Sequence, residues 1–142
     1  MHSVKGFMEP TESKMFLEEM RVATFATWPY GDEAKCNKRK MAEAGFYRRK
    51  GVPDEDVSAQ CFVCGKEMDG WEIDDDPWQE HISHAPYCKF IQIGKPETEL
   101  TLLEFSEIVM EHKKLVTKKR QEELIEILDQ QSREMDTKLK LS

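Results

Sequence analysis

Long apolar runs are missing: nowhere do about 18 apolar residues stand together, so no membrane-spanning helix is expected. The start of the chain has no basic stretch leading into an apolar one, so no secretory leader is expected and the protein is placed inside the cell. The G-x-S-x-G, P-loop and H-E-x-x-H patterns are absent too, and the sequence predicts no enzyme. Positive charge is in short supply. A formal net charge of −7 argues against general binding to nucleic acid or anionic membranes and in favour of basic partners. Cysteine is scarce, with four in 142 residues, and in a reducing compartment a closely spaced pair reads as metal ligands before it reads as a disulfide. Cys36 is left over as a surface thiol.

The length allows one domain and an appendage. Charge is unevenly spread along it: residues 54–80 hold ten acidic side chains against Lys66 alone, and residues 35–50 hold seven basic ones against Glu43. Residues 1–15 lack periodicity and read as a loose arm, with a short helix over Met15 to Arg21. Gly and Pro then punctuate the chain closely up to Ala59, so that only brief helices and turns fit, among them "KRKMAEAGF", a short helix ended by Gly45. "AQCFVCGKEMDGWEI" alternates polar and apolar residues about a turn carrying Cys64 and Gly65, the pattern of a small antiparallel sheet. Asp76 as N-cap with Pro77 behind it starts a helix.

After Pro96 neither Gly nor Pro occurs. Thr101 and Glu104 have the spacing of a capping box, and the simplest reading of the chain from there to its end is one helix of about 40 residues. Leu102, Phe105, Ile108, Val109, Leu115, Val116, Leu124, Ile127 and Leu128 form a stripe at intervals of mostly three or four, longer than a small domain covers by itself. Partner helices are expected on it.

Cys61, Cys64, His81 and Cys88 are spaced C-x2-C-x16-H-x6-C. Two thiolates from a tight turn and two donors seven residues apart on one helical face suit a tetrahedral Zn2+. Spacing alone also admits His84 as the imidazole ligand. Four protein ligands close the shell, so the ion is expected to be structural.

"RVATFATWP", "MAEAGF", "AQCFVCGKEMDGWEIDDDPWQEH" and the closing Cys88 with Phe90 resemble a baculovirus inhibitor-of-apoptosis repeat, the BIR domain. The resemblance implies an α+β fold: a zinc-binding BIR domain over residues 16–94, with a three-stranded antiparallel sheet and short helices. Beyond it are implied a linker with a dimer contact at 95–100 and one long amphipathic C-terminal helix at 101–142. The resemblance favours His81 over His84 as ligand.

A single repeat leading directly into a long helix is similar to the family's mitotic members. These imply an adaptor of the chromosomal passenger complex, whose helix bundles with borealin and INCENP and carries Aurora B to centromeres, kinetochores, the spindle midzone and the midbody from nuclear and cytoplasmic pools. They also imply a pocket for the phosphothreonine-bearing N-terminus of histone H3. Asp69, Trp71, Asp75 and His84 match its amine end, Lys66 and His84 its phosphate contacts, and Glu55 and Glu67 its contacts to basic tail residues. Leu102 and Phe105 match homodimer positions, while Glu97 stands where an aromatic is usual. Asn37 and Lys38 replace a Thr-Pro phosphorylation site, and Val57 and Ser58 also depart from the pattern. The second reading is direct inhibition of apoptosis by binding caspases or their antagonists.

Overall fold

The computed structural model describes residues 13–141, so most of the predicted N-terminal arm lies outside the described residues. Two compact units divide the chain, one of them running from Thr11 to His112 and the other containing residues 113–142.

In the first unit a 3-10 turn, Ser13–Phe16, leads into α1, Glu18–Ala23, so the short helix expected over Met15 to Arg21 is split at Leu17. Asn37 caps α2, Lys38–Glu43, by accepting from the Lys40 N–H at 3.0 Å. Gly45 ends it. Its φ of +97° suits only glycine, and a Cβ there would stand 3.1 Å from the Phe90 ring.

Three short strands come next: β1, Phe46–Tyr47; β2, Ala59–Cys61; and β3, Glu67–Met68. They pair antiparallel in the order β1-β2-β3, leaving β3 at an edge. Phe46 faces Cys61, and Tyr47, Gln60 and Glu67 form a row across the sheet. Opposed residues share a face. Phe46 and Cys61 are buried while Glu67 is exposed, so the Tyr47 row lies on the open face.

Asp76 caps α3, Pro77–His84, accepting from the Trp78 and Gln79 N–H groups. The helix stops there. Pro86 disfavours helical geometry at Ala85, which has φ −142° and ψ 61°. The chain re-enters helix at α4, Lys89–Ile93, with Cys88 as its N-cap. Cys88 therefore does not share a two-turn helical face with His81, contrary to the expectation from their spacing.

Aromatic rings meet edge to face through the core, with Phe16 on Phe62 at 5.2 Å, Phe62 on Phe90 at 5.1 Å and Phe90 on Trp78 at 5.4 Å. Arg21 is wholly buried among them. Its Nε donates to the Ala42 carbonyl at 2.9 Å and its Nη1 to the Met15 carbonyl at 3.0 Å, with its guanidinium 4.2 Å over the Phe62 ring. Cys36, expected at the surface, is also buried. Its thiol donates to the Glu72 carbonyl at 3.0 Å, and burial pushes its pKa up to about 11.

The last helix, α5, runs unbroken from Leu102 to Leu141. Its capping box closes both ways, Glu104 N–H to Thr101 Oγ1 at 3.1 Å and Thr101 N–H to Glu104 Oε1 at 3.0 Å. Its first turns belong to the domain. Ile108 is fully buried in the core, with Phe105 and Val109 packed beside it, and His112 Nδ1 donates to the Val63 carbonyl at 2.9 Å. Three positions of the expected partner stripe thus cover the chain's own core. In the other unit Leu115 is half-buried and Val116 buried, while Leu124, Ile127 and Leu128 are 50%, 47% and 62% exposed. No helix among the described residues is long and apolar enough to cross a membrane.

Candidate metal centre and peptide cleft

Cys61 ends β2 and Cys64 lies in the turn that follows it, Cys88 caps the start of α4, and α3 supplies His81. Their donor atoms all lie within 4.8 Å of one another, an arrangement that could hold one metal ion. Cys61 Sγ is 3.8 Å from Cys88 Sγ, and Cys64 Sγ is 3.8 Å from His81 Nε2.

His81 is tuned for this role. Its Nδ1 lies 2.7 Å from the Ala44 carbonyl. A carbonyl only accepts, so Nδ1 carries the proton and Nε2 keeps its lone pair for the cluster. The ring stacks tilted on Phe46 at 4.8 Å and is wholly buried. His84 faces outward instead, its Nε2 3.4 Å from the Glu80 carboxylate. The ambiguity between the two histidines is thereby resolved in favour of His81 on geometry.

Without a cation the cluster cannot ionise fully. Burial holds the Cys61 thiol well above its ordinary pKa, with hydrogen bonds to Cys64 and Cys88 adding to the effect. At Cys64 a hydrogen bond from Cys61 lowers the pKa, but sharing with Cys88 and burial outweigh it and carry the group up to about 12. Hydrogen bonds from Cys61 and Cys64 hold Cys88 below its usual range, so the shared hydrogen bonds favour a thiolate at Cys88 over one at its neighbours. A dication removes that conflict.

On the sheet edge beside this cluster lies an open cleft of about 310 Å3. Lys66, Glu67, Asp69, Trp71, Asp75 and His84, all named from the sequence, line it. Glu80, not foreseen, lines it too, and Glu55 does not. Trp71 is only 3% exposed: its ring packs on Phe46 at 5.1 Å, and its Nε1 donates to the Met68 carbonyl at 3.1 Å. The Tyr30 hydroxyl donates to the Trp71 carbonyl, fixing the backbone behind that wall. Asp75 accepts from the Glu72 N–H at 2.8 Å. Lys66, read as the one cation of its stretch, has company: Arg49 reaches Glu67 at 2.5 Å from the end of β1. Arg21, Arg49 and His112 are positions to which the sequence pattern gave no role. For Arg21 the signal present was its place at the head of "RVATFATWP", one of the stretches that carry the family resemblance.

A largely buried three-cysteine, one-histidine cluster at the end of a three-stranded sheet, with an acidic cleft on the sheet edge, is the build of a BIR domain. The model of that family, described as "BIR: Inhibitor of Apoptosis domain", matches residues 21–92, and the chain belongs to this family. Within the family its homology is to survivin-type proteins with a single repeat. Baculoviral IAP repeat-containing protein 5.2 of Xenopus tropicalis is 39% identical over 117 residues, covering 82% of this chain and 74% of the relative. Baculoviral IAP repeat-containing protein 5 of Mus musculus is 44% identical over 92 residues, covering 65% of each. Among solved structures, the BIR1 domain of DIAP1 bound to a Grim peptide matches 58% of this chain and 78% of its own with 32% identity and a TM-score of 0.46.

Proposed function

We infer that the chain is a non-enzymatic mitotic adaptor of the chromosomal passenger complex. In this reading its BIR domain binds the phosphothreonine-bearing N-terminus of histone H3, and its C-terminal helix joins borealin and INCENP to bring Aurora B to centromeres and later to the midzone and midbody. The observation that carries this is the cleft itself, which puts the carboxylates of Glu67, Asp69, Asp75 and Glu80 and an indole wall beside Lys66 and His84 along a strand that is at the sheet edge among the described residues. Carboxylates suit an N-terminal ammonium, a buried indole edge suits a small apolar first residue, and Lys66 with His84 suits a phosphate. An edge strand offers backbone partners to an extended peptide laid beside it.

The resident ion in this reading is Zn2+. Three thiolates and an imidazole are its usual donors, and a Zn–S distance of about 2.3 Å gives a tetrahedral edge of about 3.8 Å, the separation seen between Cys61 and Cys88. Cys61, Cys64, His81 and Cys88 would hold it and leave no position for water, so it would supply stability and not catalysis.

The test is a titration of one free-N-terminus peptide with and without phosphothreonine, and of the same peptide acetylated. Phosphate should tighten binding roughly tenfold, the scale of one charge-assisted hydrogen bond, and acetylation should weaken it by at least about tenfold. Equal affinities with and without phosphate would favour the alternative, direct inhibition of apoptosis by binding caspases or their antagonists, whose peptides need no phosphate.

The exposed Leu124, Ile127 and Leu128 support partner helices on the distal part of α5, and Leu102, 86% exposed, supports a homodimer contact. Phe105 packs against Phe16 at 6.1 Å and contributes less to such a contact. Because Ile108 and His112 belong to the domain, truncation should be made after residue 113. That variant should keep peptide affinity within about twofold and lose centromere localisation in dividing cells; retained localisation would sink the helix assignment.

A further inference from the structure

The chain runs in alternation out of β1: Phe46 inward, Tyr47 outward, Arg48 inward with its Nη2 donating to the Pro53 carbonyl at 3.1 Å, and Arg49 outward. Arg49 thereby arrives on the open face of the sheet, where the row Tyr47, Gln60, Glu67 ends at the edge strand. Its Nη2 meets Glu67 Oε2 at 2.5 Å, while its Nε is buried and has no acceptor among the described residues. Glu67 is also a wall of the cleft. A peptide added alongside β3 continues that row by one place, and the ligand residue there stands abreast of Glu67.

A free carboxylate at that place would select a lysine or arginine in the ligand. Here the carboxylate is already occupied by a cation of the same chain. We propose that Arg49 is a specificity-determining residue of the cleft, cancelling Glu67 so that the ligand residue abreast of it is read as neutral or acidic. An acidic ligand side chain gains a partner in Arg49, whose fork has donors left over, and a basic one must displace Arg49 before it reaches Glu67. This role rests on the peptide-binding reading of the cleft. It revises the expectation that Glu67 contacts basic tail residues, because that carboxylate is held by Arg49, and it adds the charge preference of one subsite, which the residues assigned to amine and phosphate do not determine. The side chains of Arg49 and Glu67 are 38% and 42% exposed, so solvent screening limits the effect to a few-fold.

The experiment is a titration of the full chain with synthetic peptides carrying a free N-terminal alanine and one phosphothreonine, with Lys or Glu scanned through the remaining positions. At one position the native protein should bind the Glu peptide within about threefold of the Lys peptide. In Arg49→Met, which keeps the aliphatic stem, the same pair should separate about fivefold further in favour of Lys. In Arg49→Met combined with Glu67→Gln that separation should vanish, which a mere change in folding would not produce. A Lys-to-Glu ratio unchanged within twofold at every position in Arg49→Met overturns the proposal while leaving peptide binding intact. Failure of every peptide to bind the native protein overturns the peptide-binding reading and this inference with it.

Discussion

Chelation of the metal should unfold the domain and not merely soften it. Closing a three-thiolate, one-imidazole shell is worth on the order of 10–16 kcal/mol in small zinc modules, while a whole domain is stable by about 5–15 kcal/mol. The cluster is also where the domain is joined: Cys61 and Cys64 come from the sheet, Cys88 opens α4, and His81 ties α3 to the end of α2 through the Ala44 carbonyl. Excess chelator, or Cys88→Ser, should therefore shift the fluorescence of Trp28, Trp71 and Trp78 toward that of water-exposed indole, because all three pack inside this unit. Acid should act in the same direction. Burial raises the Cys61 pKa, and Cys64 ends near 12, so both must lose protons to bind a cation, and metal affinity falls as pH falls. Native tryptophan emission in a sample shown by elemental analysis to be metal-free would defeat this account.

Elements fixed by a local signal could be read directly from the residues. Asp76 with Pro77 begins α3 where expected, Thr101 with Glu104 begins α5, Gly45 ends α2, and Cys64 sits in the turn of an antiparallel pair. β1 could not be read in this way, because Phe46–Tyr47 is too short for any periodicity to show. The break after His84 did have a signal in Pro86, but the seven-residue interval from His81 to Cys88 invited a continuous helix over it. Burial was the least legible property. Ile108 and Leu128 look alike along the stripe, yet one lies in the core and the other is 62% exposed, since only the tertiary path determines where the domain ends beneath the helix.

The candidate site divides in the same way. The ligand types and most of the cleft residues lie within residues 61–88, close enough in sequence for spacing and resemblance to find them. Arg49 meets Glu67 across 18 residues of sequence, and its role depends on a strand register that no linear pattern encodes. Glu55, by contrast, was assigned by resemblance and stays outside the cleft.

Arg21→Ala should cost about 3–5 kcal/mol, the largest loss expected from one substitution outside the metal ligands. Three effects combine there. The Ala42 and Met15 carbonyls lose their donors in a buried place, the Phe62 face loses its cation, and the removed side chain leaves a void beneath α1. The charge matters beyond these contacts. Burial lowers the Arg21 pKa to about 10, and the nearby Cys61 and Glu18 oppose that fall. Arg21→Met keeps the stem and should recover the packing share of the loss, whereas Arg21→Lys keeps the charge but lacks a planar fork able to reach two carbonyls at once. The expected order of melting temperatures in zinc-saturated samples is native first and alanine last, separated by more than about 12 °C for a domain of this size. An alanine variant melting within about 2 °C of the native protein would mean that neither the hydrogen bonds nor the packing of Arg21 contribute to the fold, and that the guanidinium is buried there without stabilising anything.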